Sequence, residues 1–364
     1  MSQEKENRQH ENAQSVQEGQ QPHKRRVRYK GRYPKKFEEK YKELQPEKYQ
    51  DTIEHVIKKG NTPAGMHISI MVQEILDTLK IQPGETGFDA TLGYGGHTKA
   101  MLACLNGQGH IYATDVDPEE SAKTKKRLEE LGYGEDILTI RLQNFCTIDE
   151  IAKEAGGFDF ILADLGVSSM QIDNPKRGFS FKVDGPLDLR LNQEAGISAA
   201  ERLDTITREE LAGMLYENSD EPYCEELAKA ITDEIRKGNR IDTTTKLREV
   251  IEKTLDFLPE KEKKDTIKKT CQRTFQALRI DVNREFEVLY EFMEKLPDAL
   301  KPGGRVAILT FHSGEDKLVK KALKEGCRAG IYADYSKDVV RPSAQECAQN
   351  GRARSTKMRW AVRA

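Results

Sequence analysis

A chain of 364 residues has room for two ordinary domains, or for one large domain carrying an insertion. Charged residues make up 33% and apolar ones only 37%, which is lean for a chain that is globular throughout and points to polar tails around a genuine core. The formal charge of −2 gives no hint of partners; no run approaches the ~20 apolar residues of a membrane span, and the scattered cysteines, with no C-x-x-C pair, exclude a zinc ribbon or a dense disulfide framework, so a cytoplasmic protein with reduced thiols and no membrane partner is expected.

In chain order, residues 1–23 are rich in Gln, Glu, Asn and Ser, have almost nothing to bury, and read as a disordered tail. Residues 24–65 begin with KRRVRYKGRYPKK, eight Lys or Arg in thirteen residues with Tyr29 and Tyr33 between them. Short amphipathic helices broken near Pro46 and an NTPAG linker follow. From Met66 the pattern turns α/β. Ile70, Met71, Ile75, Leu76 and Leu79 form a helical stripe, and GETGFDATLG is a buried strand running into a glycine turn. A helix from about His97 to Leu105, a strand in GHIYATDVDP, a charged helix to Leu131, a strand at 137–142 and a strand in FDFILADLG come next. Strand and helix alternating through short links imply a parallel sheet with right-handed crossovers.

The alternation stops after Asp173, and residues 198–270 show helical periodicity alone. It resumes with a helix over about 275–300, a turn and strand in KPGGRVAILTF, a helix from about Glu315 and a last strand in RARSTKMRWAVRA. The fold class is therefore α/β: a Rossmann-like parallel sheet built from 66–175 and 275–364, with an inserted all-helical unit at 176–274 suited to substrate recognition.

The turn Asp89-Ala-Thr-Leu-Gly93-Tyr-Gly95-Gly96-His97 lies where the first strand meets a helix. Glycines there let a ligand approach the backbone, and the helix N-terminus favours polar or negative groups. About twenty residues on, Asp115 ends the second strand, where a carboxylate can accept from two ribose hydroxyls. The spacing is G-x-G-G rather than G-x-G-x-x-G, so an adenosine cofactor without a pyrophosphate fits better, and S-adenosylmethionine is the obvious one. A tight turn with structural glycines is the plain alternative; the Lys-Pro-Gly-Gly turn before the later strand tips the balance toward a methyltransferase.

Ligands of an open parallel sheet gather beyond the C-terminal strand ends. The fourth strand ends in Asp164-Leu-Gly166-Val-Ser168-Ser169-Met-Gln171-Ile-Asp173, a polar platform beside the cofactor. Ser and Asp as caps of a strand-to-helix loop are the ordinary reading. Against it, Asp164 follows the apolar Phe160–Ala163 directly and so reaches the ligand edge. Asp164, with Ser168 or Ser169, is expected to orient the group being methylated.

DATLGYGGH, DLGVSSMQID, RGFSFKVDGPLDLR, RTFQALRIDVNRE, LTFHSGEDKLVKK and NGRARSTKMR, in that order along 66–364, resemble the bacterial 16S ribosomal RNA (cytosine-N4)-methyltransferase family. The resemblance implies a class I methyltransferase fold that uses S-adenosyl-L-methionine. It also implies methylation of a cytosine amino group near the decoding centre, with 16S ribosomal RNA, within the small ribosomal subunit, as partner. Carried over by position, cofactor contacts fall on Gly95, Gly96, His97, Asp115, Phe145, Asp164 and Gln171; no metal is implied. Gly314 stands where the family has leucine.

A cytosine amine is a poor nucleophile, because its lone pair is delocalised into the ring, so an acceptor pulling on one N–H and alignment with the methyl group are what the site must supply. His312, after an apolar strand, reads as a substrate contact opposite Asp164, and Arg279 with Asn283 as a polar pair packing the insertion onto the sheet. Tyr94 is open between cofactor and surface. Phe179 or Phe181 is the candidate stacking surface for an exposed base. The basic arm at 24–36 and Arg352, Arg354, Lys357 and Arg359 are candidate RNA contacts. The rival readings are a methyltransferase for another RNA site or a small molecule, and a non-catalytic ribosome-assembly factor that keeps the fold.

Overall fold

A computed structural model describes residues 69–364 of the chain. The expected tail, basic arm and short helices of residues 1–65 lie outside them.

Helix α1 (Val72–Leu79) buries Ile75 and Leu79. Strand β1 (Thr86–Asp89) runs into α2 (Gly96–Leu105), β2 (His110–Asp115) into α3 (Pro118–Glu130), and β3 (Leu138–Leu142) into α4 (Ile148–Ala155). Strand β4 (Phe158–Asp164) leads into the single-turn α5 (Ser169–Asp173). Asp117 caps α3 by accepting from the N–H groups of Glu119 and Glu120, with Pro118 at the first helical position. Ser168 caps α5 in a reciprocal arrangement with Gln171.

Helices α6 (Ala199–Thr205), α7 (Arg208–Ser219), α8 (Cys224–Arg236), α9 (Thr244–Thr254) and α10 (Glu260–Asn283) follow, then α11 (Glu285–Ala299). The chain closes with β5 (Leu300–Thr310), α12 (Ser313–Arg328), β6 (Tyr332–Tyr335), α13 (Ala344–Gln349) and β7 (Lys357–Arg363). The sheet order is β3-β2-β1-β4-β5-β7-β6. Strands β1 to β5 are parallel, and β7 is antiparallel to both β5 and β6. The reversal of strand order between β1 and β4 puts the ends of those two strands at the crevice where ligands of such sheets bind.

Three apolar clusters hold the molecule. Phe160, Leu162, Ile111 and Ala113 pack one sheet face against α1, α2 and α3. Phe88, Ile161 and Ala163 pack the other against α4, α11 and α12. A separate cluster built on Leu203, Leu211, Leu227, Ile231, Leu247 and Leu278 belongs to the helices between β4 and α11.

The elements depart from expectation in four respects. The helix expected over 275–300 is two helices, broken where Arg284 takes a left-handed conformation (φ 52°). The first of them, α10, starts at Glu260, so the expected boundary at 274/275 falls inside one continuous helix. Helix α4 and the short strand β6 had no place in the periodicity. The Lys-Pro-Gly-Gly turn is a bulge within β5: pairing with β4 jumps from Phe158↔Leu300 to Phe160↔Arg305.

Candidate active site

The ends of β1, β2 and β4 open onto one cavity of about 500 Å³, which extends beneath the helical unit. That is the size of a site for a nucleoside-sized ligand together with part of a second one.

Its floor is the glycine turn. Gly93 and Gly95 have positive φ (48° and 78°), and a side chain at Gly95 would begin 2.7 Å from Cγ2 of Thr124. The turn is tied from below: Thr98 Oγ1 donates to the buried Asp89 at 2.6 Å, and Thr124 Oγ1 donates to the Gly93 carbonyl at 2.6 Å. Tyr94 projects onto the Arg127 guanidinium, 3.7 Å from its ring centre, so a cation–π contact claims its face.

Asp115 accepts from the N–H of Gly93 at 2.8 Å on one oxygen and from that of Asp117 at 2.9 Å on the other. Each oxygen keeps a lone pair for a ribose hydroxyl. Burial pushes its carboxyl up to about 6, against the pull of the two N–H bonds.

Asp164 stands at the end of β4, its N–H donating to Thr91 Oγ1 at 2.7 Å. Its Oδ2 lies 3.4 Å from Nδ1 of His97, whose Nε2 is 2.8 Å from the Ile70 carbonyl. Since a carbonyl only accepts, Nε2 carries hydrogen, and Nδ1 is the ring nitrogen that faces Asp164. Oδ1 is buried and has no hydrogen-bond partner among the described residues, while about a quarter of the side chain as a whole remains exposed. Burial raises this carboxyl to about 6 as well, with His97 pulling the other way.

Ser168 and Gln171 are partly spent on structure. The Ser168 hydroxyl accepts from the Gln171 N–H at 3.2 Å, and Gln171 Oε1 accepts from the Ser168 N–H at 2.9 Å. Gln171 Nε2 donates to Asp117 Oδ2 at 2.9 Å, where Arg177 Nη1 also donates at 2.7 Å. The Asp117–Arg177 pair is almost fully buried, and Arg177 Nη2 reaches the carbonyls of Arg190 and Leu191. Ser169 lines the cavity. Phe145 also lines it and meets Phe292 edge-on at 5.2 Å.

The far wall comes from the helical side. Phe179 and Phe181 line the cavity, and Phe181 is braced edge-on by Phe275 at 5.7 Å. Asn283 ties the two units together: its Nδ2 donates to the Leu189 carbonyl and its Oδ1 accepts from the Leu191 N–H, both at 2.7 Å. Arg279 bonds Glu285 through both Nε and Nη2, at 2.8 and 2.9 Å. His312 Nε2 is 3.2 Å from Glu315 Oε1, and the other Glu315 oxygen accepts from the Phe311 N–H. Despite burial, His312, the Phe311 N–H and Arg279 hold the Glu315 carboxyl below its ordinary range. Glu285, His312 and Glu315 have the donor types and the closeness of a cation site. Arg279 already compensates this cluster, so no metal is assigned to it. Gly314 is explained by Phe286: a side chain there would begin 2.6 Å from that ring.

The cofactor positions read from sequence thus line one cavity together with Ser168 and Ser169. The four C-terminal cations divide: Arg354 is exposed and Arg352 lines the cavity, whereas Lys357 and Arg359 are taken up by one carboxylate. Arg359 is buried and bonds Asp316, Lys357 pairs with the same carboxylate, and Arg352 pairs with Asp173 at the cavity rim. Sequence reasoning missed Thr91, Asp117 and Arg177. Asp117 before Pro118 is legible as a helix cap, but its bond to a residue sixty positions on is not.

The model of the MraW methylase family matches residues 64–364. "Ribosomal RNA small subunit methyltransferase H 1" of Agathobacter rectalis is 86% identical over 94% of this chain and 98% of its own length. The protein of the same name from Lachnoclostridium phytofermentans is 70% identical over 95% of each chain. Among solved structures, a putative methyltransferase from Streptococcus mutans in complex with SAH superposes with a TM-score of 0.36 at 13% identity, covering 82% of this chain and 99% of that one.

Proposed function

The chain belongs to the MraW methylase family, and from that premise we propose that it methylates the N4 amino group of a cytosine in 16S ribosomal RNA, near the decoding centre of the small subunit. S-adenosylmethionine is the methyl donor, and when bound it supplies an electrophilic methyl group on a sulfonium centre. The residues present suit it: a glycine turn in which a side chain at Gly95 or Gly96 would clash, a carboxylate at the end of β2 with spare lone pairs, and a cavity of matching size.

One observation carries the reading. Asp164, with about a quarter of its side chain exposed, lines the same cavity as the glycine turn and the Phe179–Phe181 wall. The amino group of a cytosine held against those rings would donate one N–H to Asp164. That draws electron density back onto N4 and aims its lone pair at the methyl group, an alignment effect of several kcal/mol when the geometry is held. The proton that N4 must shed passes to Asp164, and His97 Nδ1 lies next in line to take it. Ser169 is the remaining hydroxyl for orienting the base. The capping role of Ser168 leaves it one O–H to donate.

Asp164→Ala should abolish methyl transfer to small subunits while the protein still folds and binds S-adenosylmethionine in calorimetry. Undiminished turnover in that variant would refute the assignment. Mass mapping of ribosomal RNA from cells with and without the protein identifies the nucleotide, and free cytidine as substrate would point to a small-molecule enzyme instead.

A further inference from the structure

The outer face of α12 is a row of cations. Lys317, Lys320, Lys321, Lys324 and Arg328 are all exposed, and at helical spacing they share one stripe opposite the buried Val319, Leu323 and Gly326. From Lys317 to Arg328 the row extends about 16 Å.

The row lacks counter-charge. On α3 and around α9, by contrast, cations sit in ion pairs: Lys123 with Glu119 and Lys125 with Glu129, Lys246 with Asp242 and Arg248 with Glu252. The acids in the first turn of α12 are turned inward, Glu315 to His312 and Asp316 to Lys357 and Arg359. Glu325 is the one exposed acid of the helix. Among the described residues, no ion pair involves a cation of the row. Parallel charges so spaced repel one another, and a polyanion laid along them relieves that repulsion.

The position of the row identifies its occupant. Helix α12 begins at the cavity, where His312 and Glu315 form part of the lining, and the cations lead away from that rim. We propose that this face of α12 binds the phosphate backbone of the RNA strand whose base enters the cavity. The inference rests on the RNA reading above and adds to it the surface that carries the strand, since Lys357 and Arg359 at the C-terminus are turned to Asp316.

The test is the combined Lys320→Gln, Lys321→Gln, Lys324→Gln variant of the full chain, measured against small subunits over a range of salt. None of these residues lines the cavity, so affinity for S-adenosylmethionine should stay as it is. Affinity for the subunits should fall by about tenfold or more, and the slope of log affinity against log salt should flatten by about 2, at ~0.7 for each phosphate no longer neutralised. Unchanged affinity and slope would overturn the proposal. So would a variant that loses binding to vesicles of anionic lipid while keeping full affinity for RNA. A wild-type protein that binds no RNA would instead sink the functional reading itself.

Discussion

Nδ1 of His97 and Oδ2 of Asp164 face each other at 3.4 Å, with the far nitrogen of the ring anchored to the Ile70 carbonyl. In the proposed role, Asp164 accepts from a substrate amine only while it is ionised. Because burial lifts the Asp164 carboxyl to about 6, the competent, ionised form is lost as pH falls through 6. Single-turnover methyl transfer should therefore rise with pH through about 6 and level off above 7. Asp164→Asn should flatten the profile and slow the step by about 100-fold, within the range of acid–base contributions. A wild-type rate that is flat from pH 5 to pH 8 would exclude this role.

The same shift makes a stability prediction of opposite sense. The folded protein keeps a proton on Asp164 up to about pH 6, whereas an unfolded aspartate loses it near 4. Ionisation above pH 6 therefore works against the fold, by roughly 2–3 kcal/mol. Asp164→Asn should melt several degrees above wild type at pH 8, and the gap should close toward pH 4. A variant that melts lower at pH 8 would show that the carboxylate has a stabilising partner.

Gly95 has φ 78°, and a side chain there would press on Thr124, which itself bonds the Gly93 carbonyl. Gly95→Ala adds about 1–2 kcal/mol of left-handed strain and must displace the turn. Calorimetry should show S-adenosylmethionine binding at least about tenfold weaker, by the same energy scale, in a protein that still folds.

Arg177 supplies Asp117 with its only cationic bond among the described residues while also pinning the carbonyls of Arg190 and Leu191. Arg177→Met leaves a buried carboxylate uncompensated, which typically costs about 3–5 kcal/mol. Thermal melting should register that loss, and Arg177→Lys, which keeps the charge but not the fork, should recover only part of it.

Arg284 holds a left-handed conformation between α10 and α11 with its side chain exposed. Arg284→Gly removes that strain and should raise stability by about 1 kcal/mol in urea denaturation. A drop in stability would mean that the side chain has a task the break itself does not require.

The parts legible in the sequence were those in which one residue type admits one environment. Strands β1, β2 and β4 are buried in a sheet covered on both faces, so they read as apolar runs, and the carboxylates that end them had to lie at the ligand edge. Arg284 was invisible because arginine is an ordinary helix former, and nothing local announces that two helices meet there. Strand β6 is only four residues long, and α4, with the sequence IDEIAKEA, is short and charged. Arg359 looked like an outward cation because its partner Asp316 approaches from another element, 43 residues away. Pairings across such distances are set by packing, which periodicity does not encode.

Strand β7 lies between β5 and β6. A nascent chain still missing residues 357–363 has every loop that lines the cavity but a β5 whose outer edge is open, a ready template for pairing with another chain. Catalytic competence therefore arrives late in translation, and a message truncated shortly before that strand should yield aggregates rather than a weakened enzyme.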